Sequence, residues 1–273
     1  MAFDYDKYIR PGKLPHIWCP GCGHGIVMKG LIRAIDALGL KKEQTCIVSG
    51  IGCASRLPGY MDCCTLHTAH GRAAAFATGI KMARPEMTVI CVGGDGDGVA
   101  IGGNHFIHAC RRNIDITYVM MNNHIYGMTG GQFSPATPTG AKASTTPYGN
   151  PDPPFDIAKL AIGSGASFVA RGTAFHAIQI DKLIVEAVRH KGFSVVEILD
   201  DCPTTYGRRN RFKSVVEMMN HLKEISVPIK AAAKMSPEQL QGKVITGVLY
   251  KEDKPEYCEQ YQKVIERAQS GAK

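Results

Sequence analysis

With 273 residues and 44% hydrophobic content, the chain is long enough to bury a large core, as one large α/β domain or two small ones. Its formal net charge of +8 comes without aromatic–basic interleaving or a nucleic-acid motif, which argues against an RNA- or DNA-binding protein. The charged opening stretch, Met1 to Arg10, lacks the apolar segment of a secretory signal, and no run reaches the ~18 apolar residues of a membrane span, so a cytoplasmic protein is expected.

Apolar residues at three- and four-residue steps from Ile26 to Leu38 predict an amphipathic helix beginning at His24, and Thr45 to Ser49 reads as a strand. An Ala-rich helix from His70 to Arg84 stops at Pro85. The β-branched run Thr88 to Gly93 and the run Asp115 to Met121 are buried strands, with a helix from Asn104 to Arg112 between them. Six prolines between Ser134 and Pro154 require a long ordered loop, a type that usually serves as a lid or interface. Asp156–Ile162, Phe168–Ala170, His176–His190 and Phe193–Leu199 restore the alternation. The expected fold is α/β, a mainly parallel sheet with helices on both faces. Residues 1–207 form the expected main domain, and 208–273 a basic C-terminal arm packing on the core or on a partner.

Ten cysteines in a long chain without a signal suggest ligation more than disulfides. Cys46, Cys91 and Cys110 fall in apolar patterns and read as small buried hydrophobes. Cys63, Cys64 and Cys258 have no evident partner motif. Cys19 and Cys22 form a CxxC turn, which zinc, a redox pair or an iron–sulfur cluster could each use; the missing second CxxC argues against a zinc ribbon.

The most informative feature is Gly94-Asp95-Gly96 at one strand end with Asn122-Asn123 at the next. Magnesium wants six oxygens in near-octahedral array, and Asp95, Asn123 and a carbonyl just beyond it would complement a diphosphate. Gly93, Gly94, Gly96 and Gly98 are expected to permit positive φ and close approach of backbone N–H groups to phosphate. Arg208, Arg209, Arg211 and Lys213 form the one tight basic cluster, either a solvated or subunit-contacting face or, being close to Cys202, a docking point for an acidic electron carrier.

The stretches Gly93–His105 and Asn122–Pro135, with Trp18–His24, Gly50–Ser55, His70–Arg72 and Asp201–Pro203, resemble the β subunit of the 2-oxoacid:ferredoxin oxidoreductases, across roughly residues 15–205. The resemblance implies a thiamine diphosphate-binding (diphosphate-type) fold. It implies Mg²⁺ held by Asp95, Asn123 and the Ile125 carbonyl, and a diphosphate against Gly94, Gly96, Asp97, Met128 and Thr129. Ile51, Gly52, Cys53 and Ala54 would line the other side of the cofactor. Cys53 and Cys202 would join Cys19 and Cys22 around a [4Fe-4S] cluster. His24, His70, Arg72 and His105 are candidates for polar contacts with cofactor or substrate, Arg72 foremost for its affinity for anions, although each also reads as a hydrogen-bonded structural residue.

The implied reaction is coenzyme A-dependent oxidative decarboxylation of a 2-oxoacid, with electrons passing through the cluster to ferredoxin; the family also runs reductive carboxylation. The carboxylate that activates thiamine is expected on an α subunit, within an α2β2 heterotetramer. Many relatives carry Lys where this chain has Gly130, which removes one anchor for a substrate carboxylate. The loop with Gly130, Gly131 and Thr145–Asn150 looks like the 2-oxoglutarate-acting branch, with branched-chain 2-oxoacids or pyruvate as alternatives. Two other readings are a non-oxidative thiamine carboligase, against which the four cysteines argue, and a structural zinc protein, against which Asp95 and Asn123 argue.

Overall fold

The computed structural model describes residues 3–271. Ten strands run in chain order as β1 (Thr45–Ser49), β2 (Cys64–His67), β3 (Thr88–Gly94), β4 (Thr117–Asn122), β5 (Ile125–Tyr126), β6 (Gln132–Phe133), β7 (Phe168–Thr173), β8 (Ser194–Leu199), β9 (Ser226–Pro228) and β10 (Val244–Lys251). The α-helices are α1 (His24–Ala37), α2 (Ala73–Ala83), α3 (Gly103–Arg112), α4 (Ile157–Gly163), α5 (Ala177–Arg189), α6 (Val215–Ile225), the short α7 (Ile229–Ala232) and α8 (Pro237–Leu240), and α9 (Tyr257–Gln269). Strands β5 and β6 form a separate hairpin, and the other eight make one sheet in the order β2-β1-β3-β4-β8-β7-β10-β9. All neighbours from β2 to β7 are parallel; β10 is antiparallel to β7 and parallel to the edge strand β9.

The central strands are buried along their whole length, as a sheet covered on both faces requires. Period two then sorts their side chains. Ile47, Ile90, Val119 and Val196 join a core with Leu31 of α1 and Ile184 of α5, whereas Val48, Cys91, Tyr118 and Val195 join a second core with Ala77 of α2 and Phe106 of α3. Cys46, Cys91 and Cys110 are at most 6% exposed and serve as small apolar side chains.

Segment 208–273 joins the same sheet through β10 and β9. The Glu256 carboxylate accepts the Asp115 N–H at 3.0 Å, and the Asn113 amide donates to the carbonyls of Lys254 and Pro255, so this segment is stitched to the α3–β4 connection. Sequence periodicity missed β2, whose four residues form a half-exposed edge, and it missed the β5–β6 hairpin, which is only two residues per strand.

One charged network lies inside the sheet. Glu197 of β8, 2% exposed, accepts from the Arg171 guanidinium at 2.7 Å and from the Asn122 amide at 2.8 Å, and Arg171 also reaches Asp156. Arg171→Met would strand the Glu197 charge, and a loss of ~3–5 kcal/mol is expected in urea unfolding at neutral pH. A loss under about 1 kcal/mol would mean that the network is not needed to neutralise Glu197.

The chain steps from β1 outward to β2 and then back across to β3. This reversal opens a crevice beyond the carboxyl ends of β1 and β3, the position where open α/β sheets take ligands.

Candidate active site

The crevice is lined by the loop after β1 (Ile51–Ala54), the turn after β3 (Gly94–Asp97), the segment after β4 (Asn123, Ile125–Thr129), and His24 and His70. Every residue expected to contact the diphosphate or magnesium therefore faces one cleft. Beside it lies a hollow walled by Cys19, Cys22, Cys53 and Cys202 together with Ile17 and Trp18. Cys53, Asn123, Gly127 and Met128 line both.

Asp97 organises the cleft. Its Oδ1 accepts from the Ile51 N–H at 3.0 Å, the Gly71 N–H at 2.7 Å and the His70 imidazole at 2.6 Å, tying three loops together. Gly50 follows from this, because a Cβ there would lie 2.2 Å from the Asp97 carboxylate. The neighbouring glycines differ from expectation: Gly93, Gly94, Gly96 and Gly98 do not adopt positive φ. Instead, a Cβ on Gly96 would enter the Tyr126 ring at 2.2 Å, and one on Gly98 would meet Met120 at 2.5 Å, so close packing excludes side chains at these two. Gly96–Ile101 forms a π-helical turn, a device frequent at functional sites.

Asp95 is 1% exposed and accepts a short hydrogen bond from Ser134. Burial, with the nearby Asp200 carboxylate adding to it, pushes Asp95 up to about 7 despite that bond. Such a carboxyl suits a site where a cation will offset its charge. Of the two asparagines, Asn122 is turned into the sheet toward Glu197, while Asn123 lines the cleft. Between Asn123 and Ile125, His124 takes the left-handed conformation at φ +63°, held by its N–H to Asn122 and its ring to the Ala136 carbonyl. A non-glycine residue strained in this way marks a turn that the surroundings enforce.

The proline-rich segment is ordered by internal bonds, with the Asn150 amide donating to the Thr137 carbonyl at 2.9 Å, and it delivers Ser134 to Asp95. In the β5–β6 turn, Gly130 and Gly131 have φ of +118° and +88°. Gly130 is thus required by this backbone, and a lysine there would need a different loop.

His24, 1% exposed at the start of α1, is bonded through Nδ1 to Asp200. Burial works against its protonation, but the Asp200 charge and hydrogen bond raise it above the usual imidazole range. Arg72 is not brought to the cleft; its guanidinium donates to the Ile101 carbonyl at 3.1 Å, and His105 also lies away from the lining. Sequence reasoning missed Tyr126 and Gly127 in the lining, Ser134, and Asp200; the last is 176 residues from His24 and left no local signal.

In the hollow, the Trp18 indole donates to the Cys53 carbonyl at 2.7 Å and fixes that loop. A Cβ on Gly127 would lie 3.4 Å from the Cys202 sulfur and 3.6 Å from that of Cys53. Burial raises Cys53 to about 11, reinforced by Cys202, Cys19 and Asp200, and Cys22 is raised by burial, Asp200 and Cys202. The four thiols are unpaired and line the same hollow. Among the described residues no group of three His, Cys, Asp or Glu side chains is arranged to hold a metal ion, and the four cysteines line one hollow.

Residues 50–198 match the model of the thiamine pyrophosphate enzyme C-terminal TPP-binding domain. The chain is 52% identical over 264 residues to a 2-oxoglutarate synthase subunit KorB of Methanocaldococcus jannaschii, covering 97% of this chain and 98% of that one. It belongs to the KorB family. These are subunits of 2-oxoglutarate synthases, so the chain is one subunit of an oxidoreductase. The KorB of Archaeoglobus fulgidus is also 52% identical, over 97% of this chain and 95% of that protein. A solved 2-oxoglutarate:ferredoxin oxidoreductase from Magnetococcus marinus, with 2-oxoglutarate, coenzyme A and succinyl-CoA bound, superposes with a TM-score of 0.86 at 38% identity, over 97% of this chain and 90% of that one. Among the described residues no helix is long and apolar enough to cross a membrane.

Proposed function

We propose that this chain binds thiamine diphosphate through Mg²⁺ in the cleft and a [4Fe-4S] cluster in the hollow, and oxidises 2-oxoglutarate to succinyl-CoA with ferredoxin as acceptor. The observation that carries this is the common wall: Cys53 borders both spaces, so electrons leaving substrate in the cleft have a short route to the sulfurs. The donor sets fit. Asp95 and Asn123 offer hard oxygens for Mg²⁺, with the Ile125 carbonyl as a third, and four unpaired sulfurs offer soft ligands to a cluster.

When bound, thiamine diphosphate supplies the electron sink for decarboxylation. The chain supplies the frame. Asp97 locks the loops after β1 and β3 against each other, and Asp200 holds His24 at Nδ1 and sets the direction of its ring, leaving the other ring nitrogen for a polar contact. Met128 and Thr129, both exposed, form the outer lip of the cleft.

The matched family model is a C-terminal TPP-binding half, and the relatives are named as subunits, so an α partner carrying the pyrimidine-binding half and the activating glutamate completes the site. We assign the pair to the cytoplasm, a reducing compartment that suits ten unpaired cysteines.

The co-purified pair, assayed with coenzyme A and a viologen acceptor, should favour 2-oxoglutarate over 2-oxoisovalerate and pyruvate by at least about tenfold in kcat/KM, a difference of roughly 1.4 kcal/mol. It should also contain iron and acid-labile sulfide. Preference for a branched-chain acid would overturn the substrate, and protein carrying zinc in place of iron would overturn the mechanism.

A further inference from the structure

We infer that residues 208–213, with the exposed apolar residues beside them, form the docking surface for an acidic electron-carrier protein that collects electrons from the four-cysteine hollow. This rests on the reading of that hollow as the electron exit. The argument is one of placement. Cys202 stands immediately before the π-helical turn Pro203–Gly207, and Arg208, Arg209, Arg211 and Lys213 follow it at once, all exposed. At the other end, Val215 opens α6 and packs on the CxxC turn, where a Cβ on Gly21 would lie 2.5 Å from its Cγ2. The basic segment is thus pinned on one side by Cys202 and on the other by the Cys19–Cys22 loop. It cannot lie anywhere except beside the hollow.

The segment is rigid where it needs to be. The Asn210 amide donates to the carbonyls of Lys142 and Tyr206 and accepts from the Lys142 N–H at 2.8 Å, and Phe212 N–H bonds the Gly207 carbonyl at 3.1 Å. The charges themselves remain available, since none of the four cations forms an ion pair among the described residues. From Cys202 to Val216 there is no Asp or Glu, and the next residue, Glu217, accepts the Lys213 backbone N–H at 2.6 Å without pairing with any of the four cationic side chains.

The apolar part comes from Ile17 at 64% exposure and Met128 at 46%, which border the hollow, and from Val216 at 69% on α6. Cys19 itself is exposed. Apolar contacts surrounding an exposed ligand sulfur, edged by four cations that form no ion pair and outnumber the one neighbouring carboxylate, Glu217, match a protein with negative charge around its own redox centre. Long-range attraction then sets the encounter rate and the apolar contacts set the approach distance.

The test uses the complete αβ complex and the triple variant Arg208→Glu/Arg211→Glu/Lys213→Glu. With an acidic ferredoxin as acceptor at low salt, kcat/KM for the carrier should fall by about 10- to 100-fold, and its decline with ionic strength should flatten or reverse. Iron content and turnover with a viologen dye should be retained. A matching Arg208→Gln/Arg211→Gln/Lys213→Gln variant should fall between, which separates charge from misfolding. Unchanged ferredoxin kinetics and salt dependence alongside intact dye turnover would overturn the proposal. Should the wild-type complex turn over no 2-oxoacid even with dye, the functional reading is what has failed. Docking is then decided by equilibrium binding of the same ferredoxin: weakened binding to the glutamate variant sustains it, and equal binding rejects it.

Discussion

Replacing Asp95 with Asn should abolish turnover while leaving the fold intact. Asp95 is the one buried carboxylate placed among the glycines at the end of β3 that the surrounding loops do not consume as Asp97 is consumed. Asparagine keeps the shape and can still accept from Ser134, but it removes the charge that a divalent cation requires. Magnesium-dependent thiamine diphosphate affinity, measured by calorimetry on the complex, should weaken by several kcal/mol, about 10³-fold. The unfolding midpoint without cofactor should not fall, because a buried charge has been removed. If the cofactor still raises thermal stability in the variant as it does in the wild type, the assignment of Asp95 to the cation is incorrect.

Cys53→Ala is expected to separate the two halves of the site. The substitution removes one of four sulfurs, so the cluster should be lost or incomplete, with iron per complex well below that of the wild type. Electron delivery to either ferredoxin or viologen should fall by at least about 10²-fold, since each ~1.4 kcal/mol added to a barrier costs tenfold and the alternative routes are longer. Thiamine diphosphate binding should persist, because the contacts that shape the cleft run through Asp97 and backbone N–H groups rather than through this sulfur. A variant that keeps its iron and its viologen turnover would show that Cys53 is not a ligand.

What could be read from the sequence was whatever depends on near neighbours. Strands β1 and β3 are short buried runs of β-branched residues, and Asp95 and Asn123 carry oxygen-rich chemistry at strand ends, so both the sheet and the cleft were foreseeable. The reason for the glycines was not. Gly96 and Gly98 are kept bare by Tyr126 and Met120, residues brought there only by folding, whereas a sequence offers backbone freedom as the ready explanation. Arg72 looked suited to an anion by type, yet tertiary structure gave its guanidinium to backbone carbonyls. The His24–Asp200 pair and the Ser134–Asp95 bond each join distant segments with no pattern of their own. Strand β10 was hidden for a related reason: an antiparallel strand lying between β7 and the edge strand β9 is here only partly buried and carries a weak alternation.

A Cβ on Gly127 would lie within contact range of the Cys202 and Cys53 sulfurs on one side, and the residue borders the cleft on the other. Such a thin partition ties the tuning of two reactions together. A methyl group introduced there to narrow the choice of acid would also press on sulfur, and with the proposed cluster in place it is expected to alter the potential at which electrons leave. Engineers who wish to change what this enzyme consumes without changing what it can reduce should therefore begin at Thr129, which borders the cleft and not the hollow, and leave the partition alone.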